Sequence, residues 1–296
     1  VVYTQMLNER GGIEADITVT RLAMDTFFIV SPGACGVRDF DYINRHIGKD
    51  DFVTLTEVTS GYTMLAVMGP KSRELLQTLT DADLSNPAFP FATAQEIDIA
   101  YARPLAVRMS FVGELGWELY IPSEFSNNVF DALMEAGDAF NLKLVGLHAL
   151  DSLRLEKGYK HWSADITPDN TPFEAGLGFC VKMQKEAFVG KDALARQKEA
   201  GLKRKLVMFS IEDPEPLVYH DEPIYRDGVL AGENTHGAYS HVLGCSNGMC
   251  YLKNSEGITD DWINAGSYEI NVAGKMYPVK IHLEPVYDPQ SKKVKM

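Results

Sequence analysis

Four cysteines in 296 residues, Cys35, Cys180, Cys245 and Cys250, are too few and too scattered to build a framework. No two stand at C-x-x-C spacing, so neither a structural zinc site nor a disulfide-stapled fold is specified, and a reducing compartment fits best. No run of 18 apolar residues exists, which leaves no candidate for a membrane-spanning helix, and no segment has the shape of a signal peptide. Positive charge is short as well. Lys plus Arg total 28 against 41 for Asp plus Glu, a net charge of −13, and no Lys/Arg cluster is interleaved with aromatics. Nucleic acid is therefore disfavoured as the main partner, because phosphate contacts need concentrated positive charge. A G-x-G-x-x-G following a strand, a P-loop and an H-E-x-x-H are all absent. The chain by itself is not expected to hold a dinucleotide, a nucleoside triphosphate or a catalytic zinc, and a flavin would sit elsewhere.

What remains is an ordinary globular composition, 45% hydrophobic and 23% charged, with enough chain for two or three packed units. The most informative stretch is Tyr3 to Val19. Val1 to Leu7 and Ile13 to Val19 are β-rich runs joined by Asn8-Glu-Arg-Gly-Gly12, whose glycines are expected to supply the positive φ angles of a hairpin connection. Asp16 falls inside the returning strand among Ile13, Ile17 and Val19. Aspartate is a poor strand residue, so its presence there calls for hydrogen bonding, an edge position facing solvent, or a ligand.

Further along, apolar spacing predicts a helix over 38–47 with Gly48 as its C-cap, strands at 52–58 and 62–68, and a helix over 71–79 entered through Gly69-Pro70. Strands at 95–101, 105–111 and 117–121 and an amphipathic helix over 125–140 complete an α+β pattern built on antiparallel sheet. Helices over 146–158 and 191–201 follow. From Arg204 onward, short strands separated by Gly, Asp, Asn and Pro imply an all-β barrel or sandwich, setting domains at 1–203 and 204–296.

Alternation along 117–121 puts Glu118 and Tyr120 on one face and Trp117 and Leu119 on the other. Glu118 is thus either a pocket carboxylate or a strand glutamate paired with Arg108, while Glu114, in the preceding turn, reads as solvated. Thr18 shares a strand face with Asp16 and either contacts the same ligand or is an edge-strand threonine. Tyr159, His161 and Trp162, beyond Gly158, either wall a ligand channel or pack at a domain interface. His236 and His241 lack a third ligand at suitable spacing, so no metal is assigned.

Five blocks, in order, carry a family resemblance: Tyr3 to Val19; Phe111-Val-Gly-Glu-Leu-Gly-Trp-Glu118-Leu-Tyr-Ile-Pro122; Asp151-Ser-Leu-Arg-Leu-Glu-Lys-Gly158; Thr171-Pro-Phe-Glu-Ala-Gly-Leu-Gly178; and Leu283-Glu-Pro-Val-Tyr-Asp-Pro289. Together they resemble the folate-binding aminomethyltransferase family, which includes the glycine cleavage T-protein. The second block and Tyr159-Lys-His-Trp162 look most like the C-terminal folate domain of dimethylglycine and sarcosine dehydrogenases. The resemblance implies two interleaved α/β subdomains with antiparallel sheets plus a C-terminal all-β barrel. It implies tetrahydrofolate as cofactor, Asp16 as the catalytic aspartate and Glu118 as the pterin anchor, a carboxylate accepting the ring N–H and exocyclic amine together. Thr18, Phe111 and Trp162 would complete the cofactor site. Asp16 would either stabilise the cation formed at the folate nitrogen or orient and deprotonate that nitrogen.

Two positions depart from the family pattern. Phe111 stands where the dehydrogenase branch has a tyrosine, so a hydroxyl is lost, and Thr235-His-Gly-Ala238 replaces a Thr-Ser-Gly-Gly turn. The implied chain is N-terminally truncated, with an upstream flavin domain or subunit carrying FAD, a methylated amine as one-carbon donor, no membrane partner, and a bacterial cytoplasmic or mitochondrial matrix location. Capture of the one-carbon unit as 5,10-methylenetetrahydrofolate is the expected reaction. The alternatives are a non-catalytic folate-binding assembly or adaptor protein, disfavoured because Lys157-Gly-Tyr-Lys160 lacks the signature cysteine of that branch, and a folate-dependent demethylase on the same scaffold.

Overall fold

The computed structural model describes residues 1 to 296. Strands β1 (Val2–Leu7) and β2 (Ile13–Arg21) flank the Asn8–Gly12 turn, and β3 (Phe27–Val30) pairs antiparallel with β2, giving a sheet of order β1-β2-β3. The turn is closed by Asn8, whose Oδ1 accepts from Gly12 N at 2.9 Å and whose carbonyl accepts from Gly11 N at 2.9 Å. Its two glycines serve different needs. Gly11 lies at φ +82°, as expected, but Gly12 is required by close approach: a Cβ there would lie 1.8 Å from the Pro168 carbonyl oxygen.

Helix α1 (Gly36–Arg45), β4 (Tyr62–Met68), α2 (Ser72–Gln77), β5 (Ala94–Glu96), β6 (Leu105–Val107), β7 (Gly116–Pro122) and α3 (Ser126–Gly137) follow. The four strands form an antiparallel sheet of order β4-β7-β6-β5, with β7 in its interior. As alternation predicts, Trp117, Leu119 and Ile121 point into an apolar core with Leu75, Leu76, Phe89, Val129 and Leu133. Each such fully buried side chain contributes about 1.5 to 3 kcal/mol.

Several expectations are corrected in this region. Residues 52–58 form no strand: Phe52, Val53 and Val58 are exposed and no neighbouring strand pairs with them, so their β-branched pattern has no pleated surface to join. The 95–101 and 105–111 strands shrink to three residues each, Ala94–Glu96 and Leu105–Val107, and between them Ala100 and Tyr101 turn the chain at positive φ (47° and 67°). Helix α1 ends at Arg45 with His46 as its C-cap, and Gly48 instead donates its N–H to Asp51.

Helices α4 (Leu147–Glu156) and α5 (Lys191–Ala200) lead to β8 (Arg204–Ile211), β9 (Pro223–Arg226), β10 (Val229–Ser240), β11 (Cys245–Lys253), the short α6 (Asp260–Asn264), β12 (Tyr268–Val272) and β13 (Lys275–His282). The six strands close into a barrel of order β10-β11-β8-β13-β12-β9, filled by Phe209, Ile211, Ile224, Cys250, Leu252 and Ile270. Thr235 to Ala238, read as a turn, lies within β10. A bulge between Asn234 and His236 interrupts its pairing with β11, and a Cβ at Gly237 would meet the Val218 side chain at 2.4 Å. Helix α4 packs outside the barrel through Leu155, against Leu206, Met208, Met249 and Tyr251.

By internal contacts the chain forms two compact units, one of residues 1–2, 18–146 and 290–296 and the other of 3–17 and 147–289, so the chain passes from one to the other within β2. No helix is long and apolar enough to cross a membrane.

Candidate functional site

Asp16 sits in β2 between buried Ala15 and Ile17, itself half-buried. β2 is the middle strand of its sheet, with β3 pairing it from Thr18 onward, and at Asp16 it is burial and the bond from Gln5 on β1 that set the carboxylate apart from a solvated edge residue. Gln5 Nε2 donates to its Oδ1 at 2.8 Å, and the Tyr3 hydroxyl hydrogen-bonds the same carboxylate. Burial pushes the Asp16 carboxyl up to about 6, an effect held back by the bonds from Gln5 and Tyr3 and by the Lys160 ammonium. The neighbours respond in turn. Burial and then the Asp16 charge drive the Tyr3 hydroxyl far above the usual phenol range, and push the Cys180 thiol up to about 11.

Lys160 comes from the segment after α4, which a buried polar network shapes. Arg154 and Asp165, both fully buried, form an ion pair. Arg154 Nε also donates to Asp151 Oδ1 at 3.2 Å, and Asp165 accepts from Thr235 Oγ1 at 2.6 Å and His161 N at 2.9 Å. Trp162 donates from Nε1 to the Ile13 carbonyl at 3.3 Å and packs on the cluster of Leu7, Ile13 and Leu177. That ring therefore braces the hairpin carrying Asp16 within one unit. His161 is exposed, and His236 Nε2 lies 4.0 Å from Asp151 Oδ2, its pKa lowered by burial and then by Arg154.

Glu118 lies on the face of β7 opposite the core. The Tyr120 hydroxyl donates to its Oε2 at 2.6 Å, and Oε1 has no protein partner. Burial raises the Glu118 carboxyl and the Tyr120 bond opposes that rise. The Phe28 ring meets Tyr120 edge-on at 5.2 Å, and Met64 and Ala66, cross-strand from Tyr120 and Glu118 in β4, are exposed beside them. A half-buried acceptor beside an open apolar strip suits a flat heterocycle with adjacent N–H donors. Arg108, the alternative partner, is turned away: its guanidinium donates to the Phe89 and Met296 carbonyls, each at 2.6 Å, and lies over the Trp117 ring. Glu114 is not solvated, for its mostly buried side chain lies 3.8 Å from Lys293 Nζ. Phe111 is half-buried in the loop before β7, and Thr18, opposite Val30, is half-buried two residues beyond Asp16.

Asp16 and Trp162 thus share one compact unit, and Thr18, Phe111 and Glu118 belong to the other. Sequence reasoning missed Tyr3, Gln5, Lys160 and Cys180 around Asp16. An i, i+2 polar pair on the partner strand was a usable signal for Tyr3 and Gln5; nothing local marked Lys160 or Cys180.

Residues 1–185 match the GCVT N-terminal domain and residues 204–288 the glycine cleavage T-protein C-terminal barrel domain. Over 295 residues the chain is 39% identical to 4-methylaminobutanoate oxidase (formaldehyde-forming) of Paenarthrobacter nicotinovorans, covering 99% of this chain and 35% of that one. It is 37% identical over 311 residues to mitochondrial sarcosine dehydrogenase of Mus musculus, covering 99% and 34%. The chain therefore spans about a third of the length of these relatives. The crystal structure of the glycine cleavage system aminomethyltransferase T from Bartonella henselae superposes with a TM-score of 0.82 at 26% identity, over 97% of this chain and 76% of that one. With a T-protein domain model matched over more than half its length and this fold throughout, the chain belongs to the glycine cleavage T-protein family of aminomethyltransferases.

Proposed function

We propose that this chain is the tetrahydrofolate-dependent transferase part of an amine-demethylating enzyme and captures the carbon lost from an N-methyl group as 5,10-methylenetetrahydrofolate. The observation that carries the reading is the Asp16 carboxylate, half-buried on a central strand and held by Tyr3 and Gln5 with Lys160 nearby. A structural aspartate gains nothing from that setting, whereas a fixed negative charge in a partly dry site stabilises a cation strongly. The names of the oxidase and of sarcosine dehydrogenase, two long relatives, point to N-methyl amine oxidation, and the first to formaldehyde as product.

Tetrahydrofolate supplies two nucleophilic nitrogens that together bind one formaldehyde carbon with loss of water. In this reading Asp16 holds its charge against the cation developing at the attacking nitrogen and accepts that nitrogen's proton. Glu118 accepts the paired pterin donors, Oε1 being its partnerless oxygen. Phe111 packs against the ring, Thr18 adds a hydroxyl, and Trp162 fixes the hairpin. FAD belongs to a separate upstream domain or subunit, because this chain carries no dinucleotide motif. A bacterial cytoplasmic or mitochondrial matrix location agrees with this chemistry.

The test uses the full-length protein, tetrahydrofolate and [13C-methyl]sarcosine. Labelled methylenetetrahydrofolate is expected to form faster than free labelled formaldehyde condenses unaided. Formation at the unaided rate, with folate bound, would move the adaptor reading ahead.

A further inference from the structure

The hairpin that carries Asp16 also carries an uncharged donor aimed at its carboxylate. Gln5 Nε2, on β1, donates to Asp16 Oδ1, on β2, at 2.8 Å. Both side chains are half-buried, and the backbones that bear them are fixed against one another. Asn8 N donates to the Gly12 carbonyl at 2.9 Å, and Asn8 accepts in return from Gly11 N and Gly12 N, which closes the turn between the two strands. Trp162 Nε1 donates to the Ile13 carbonyl at 3.3 Å, three residues before Asp16. A rigid strand alone does not decide where carboxylate oxygens point, because the last torsion of an aspartate is soft and roughly two-fold. One directed bond from a neighbour of fixed position does decide it.

We propose that Gln5 is a positioning residue for the transfer reaction, its carboxamide holding the plane of the Asp16 carboxylate so that an oxygen is presented to the attacking nitrogen of the folate. This inference rests on the transfer reading above. A carboxylate offers about four lone-pair positions, and the bonds from Gln5 and the Tyr3 hydroxyl leave part of that capacity to a ligand. As the folate nitrogen adds to the formaldehyde carbon, the new C–N bond forms, the carbonyl π pair moves to oxygen, and the nitrogen's proton passes to the aligned Asp16 oxygen. The residue type matters as much as the distance. A lysine or arginine bonded at this point would pair with the carboxylate and weaken it as a base, whereas a carboxamide orients it without neutralising it. Burial, which pushes the Asp16 carboxyl up to about 6, is only partly opposed by such a neutral donor, and a base that titrates near the working pH is the effective kind. Asp16 is faced by Tyr3 and Gln5 from β1, by Lys160 from the segment after α4, and by Cys180 from the turn that follows Gly178. Replacing Gln5 therefore removes a neutral contact and leaves every titratable neighbour in place.

The experiment uses Gln5→Met, which keeps the length of the side chain without the donor, and Gln5→Leu as a second apolar variant, both in the full-length protein. Methylenetetrahydrofolate formation is followed from pH 5 to 9, and folate affinity is measured by calorimetry. Both variants are expected to lower kcat about ten-fold, the effect of a misaligned catalytic group, while the KM for tetrahydrofolate and the folate dissociation constant stay within a few-fold. The acid limb of the rate should move to higher pH, because the Gln5 bond favours the ionised carboxylate. In the Asp16→Asn background the same replacement should change the residual rate by less than about two-fold, since Gln5 acts through the carboxylate. An unchanged kcat in Gln5→Met that binds folate normally, or the full loss repeated on top of Asp16→Asn, overturns the inference. Loss of folate binding in both variants also overturns it, by making Gln5 a residue that holds the hairpin together. A parent protein that forms no methylenetetrahydrofolate above the unaided rate sinks the transfer reading itself, and the inference falls with it.

Discussion

The Tyr120 hydroxyl donates to Oε2 of Glu118 at 2.6 Å from two residues further along the same strand, so that Oε1 and the second lone pair of Oε2 are left to a ligand. The bond also opposes the upward push of burial on the Glu118 carboxyl. In Tyr120→Phe that opposition disappears, and Glu118 takes up its proton at a higher pH than in the parent. Since pterin recognition needs the carboxylate, the loss of folate affinity in the variant should be larger at pH 6 than at pH 8. Calorimetric titration at the two pH values checks this, and equal losses at both would show that the hydroxyl acts by packing.

Glu118→Gln keeps the size of the side chain but replaces one acceptor oxygen with an amide donor facing a pterin N–H. Folate affinity should drop by roughly 2 to 4 kcal/mol, the cost of a lost charge-assisted pair and an opposed donor. An unchanged dissociation constant would remove Glu118 from the site.

For Asp16→Asn in the full-length protein, folate affinity should remain within a few-fold while methylenetetrahydrofolate formation slows by about a hundred-fold or more. Amine oxidation should continue, so free formaldehyde accumulates and can be assayed directly. A normal transfer rate after subtraction of unaided condensation would make Asp16 a structural residue.

The same substitution should make the protein more stable above neutrality. The Asp16 carboxyl titrates at about 6 in the fold against an ordinary 3.8, so the folded state holds the proton more tightly than the unfolded chain. Ionising Asp16 therefore costs stability as pH rises from the lower value to the higher, and the full cost is present above about 6. Removing the charge should recover on the order of 3 kcal/mol at pH 8. Little of that gain is expected at pH 3.5, where the folded state is protonated and the unfolded chain mostly so. Urea denaturation at the two pH values measures the difference, and a gain of equal size at both would contradict the assignment.

Asp165→Ala leaves the fully buried Arg154 guanidinium without its main counter-charge and also removes the acceptor for Thr235 and His161. Stability should fall by about 3 to 5 kcal/mol, the usual penalty for an orphaned buried charge. Chemical denaturation gives the value directly; a loss below 1 kcal/mol would mean that water reaches Arg154.

The elements legible in the sequence were those whose pattern is local. The β1–β2 hairpin announces itself through Gly11 and alternating apolar residues, β7 through Trp117, Leu119 and Ile121, and the barrel through its strand spacing. Residues 52–58 misled because β-branched side chains report fitness for a pleated surface, not the presence of a neighbour to supply one. Gly12 was credited with backbone freedom when its task is to admit the Pro168 carbonyl, a contact far off in sequence. The site divides along the same line. Asp16 and Glu118 stand out because carboxylates in strands need a reason, and alternation placed Glu118 on the correct face. Lys160 and Cys180 come to Asp16 only through folding over long sequence distances, and Arg108, plausible as a partner of Glu118, is claimed instead by two backbone carbonyls.

The tightness at Gly12 bears on how this protein can change over generations. With Asn8 bonded to both glycines and the Pro168 carbonyl filling the space of a side chain, the turn has a fixed length as well as a fixed shape. Glu9 and Arg10 project outward and are free to vary. A one-codon deletion among them, however, would shift β2 by one residue against its neighbours and swing every side chain beyond the turn to the opposite face, burying what was open and opening what was buried. A lineage can therefore lose the chemistry at this turn in one step without touching a site residue, while the barrel and the four-stranded sheet, encoded elsewhere, persist as a folded shell.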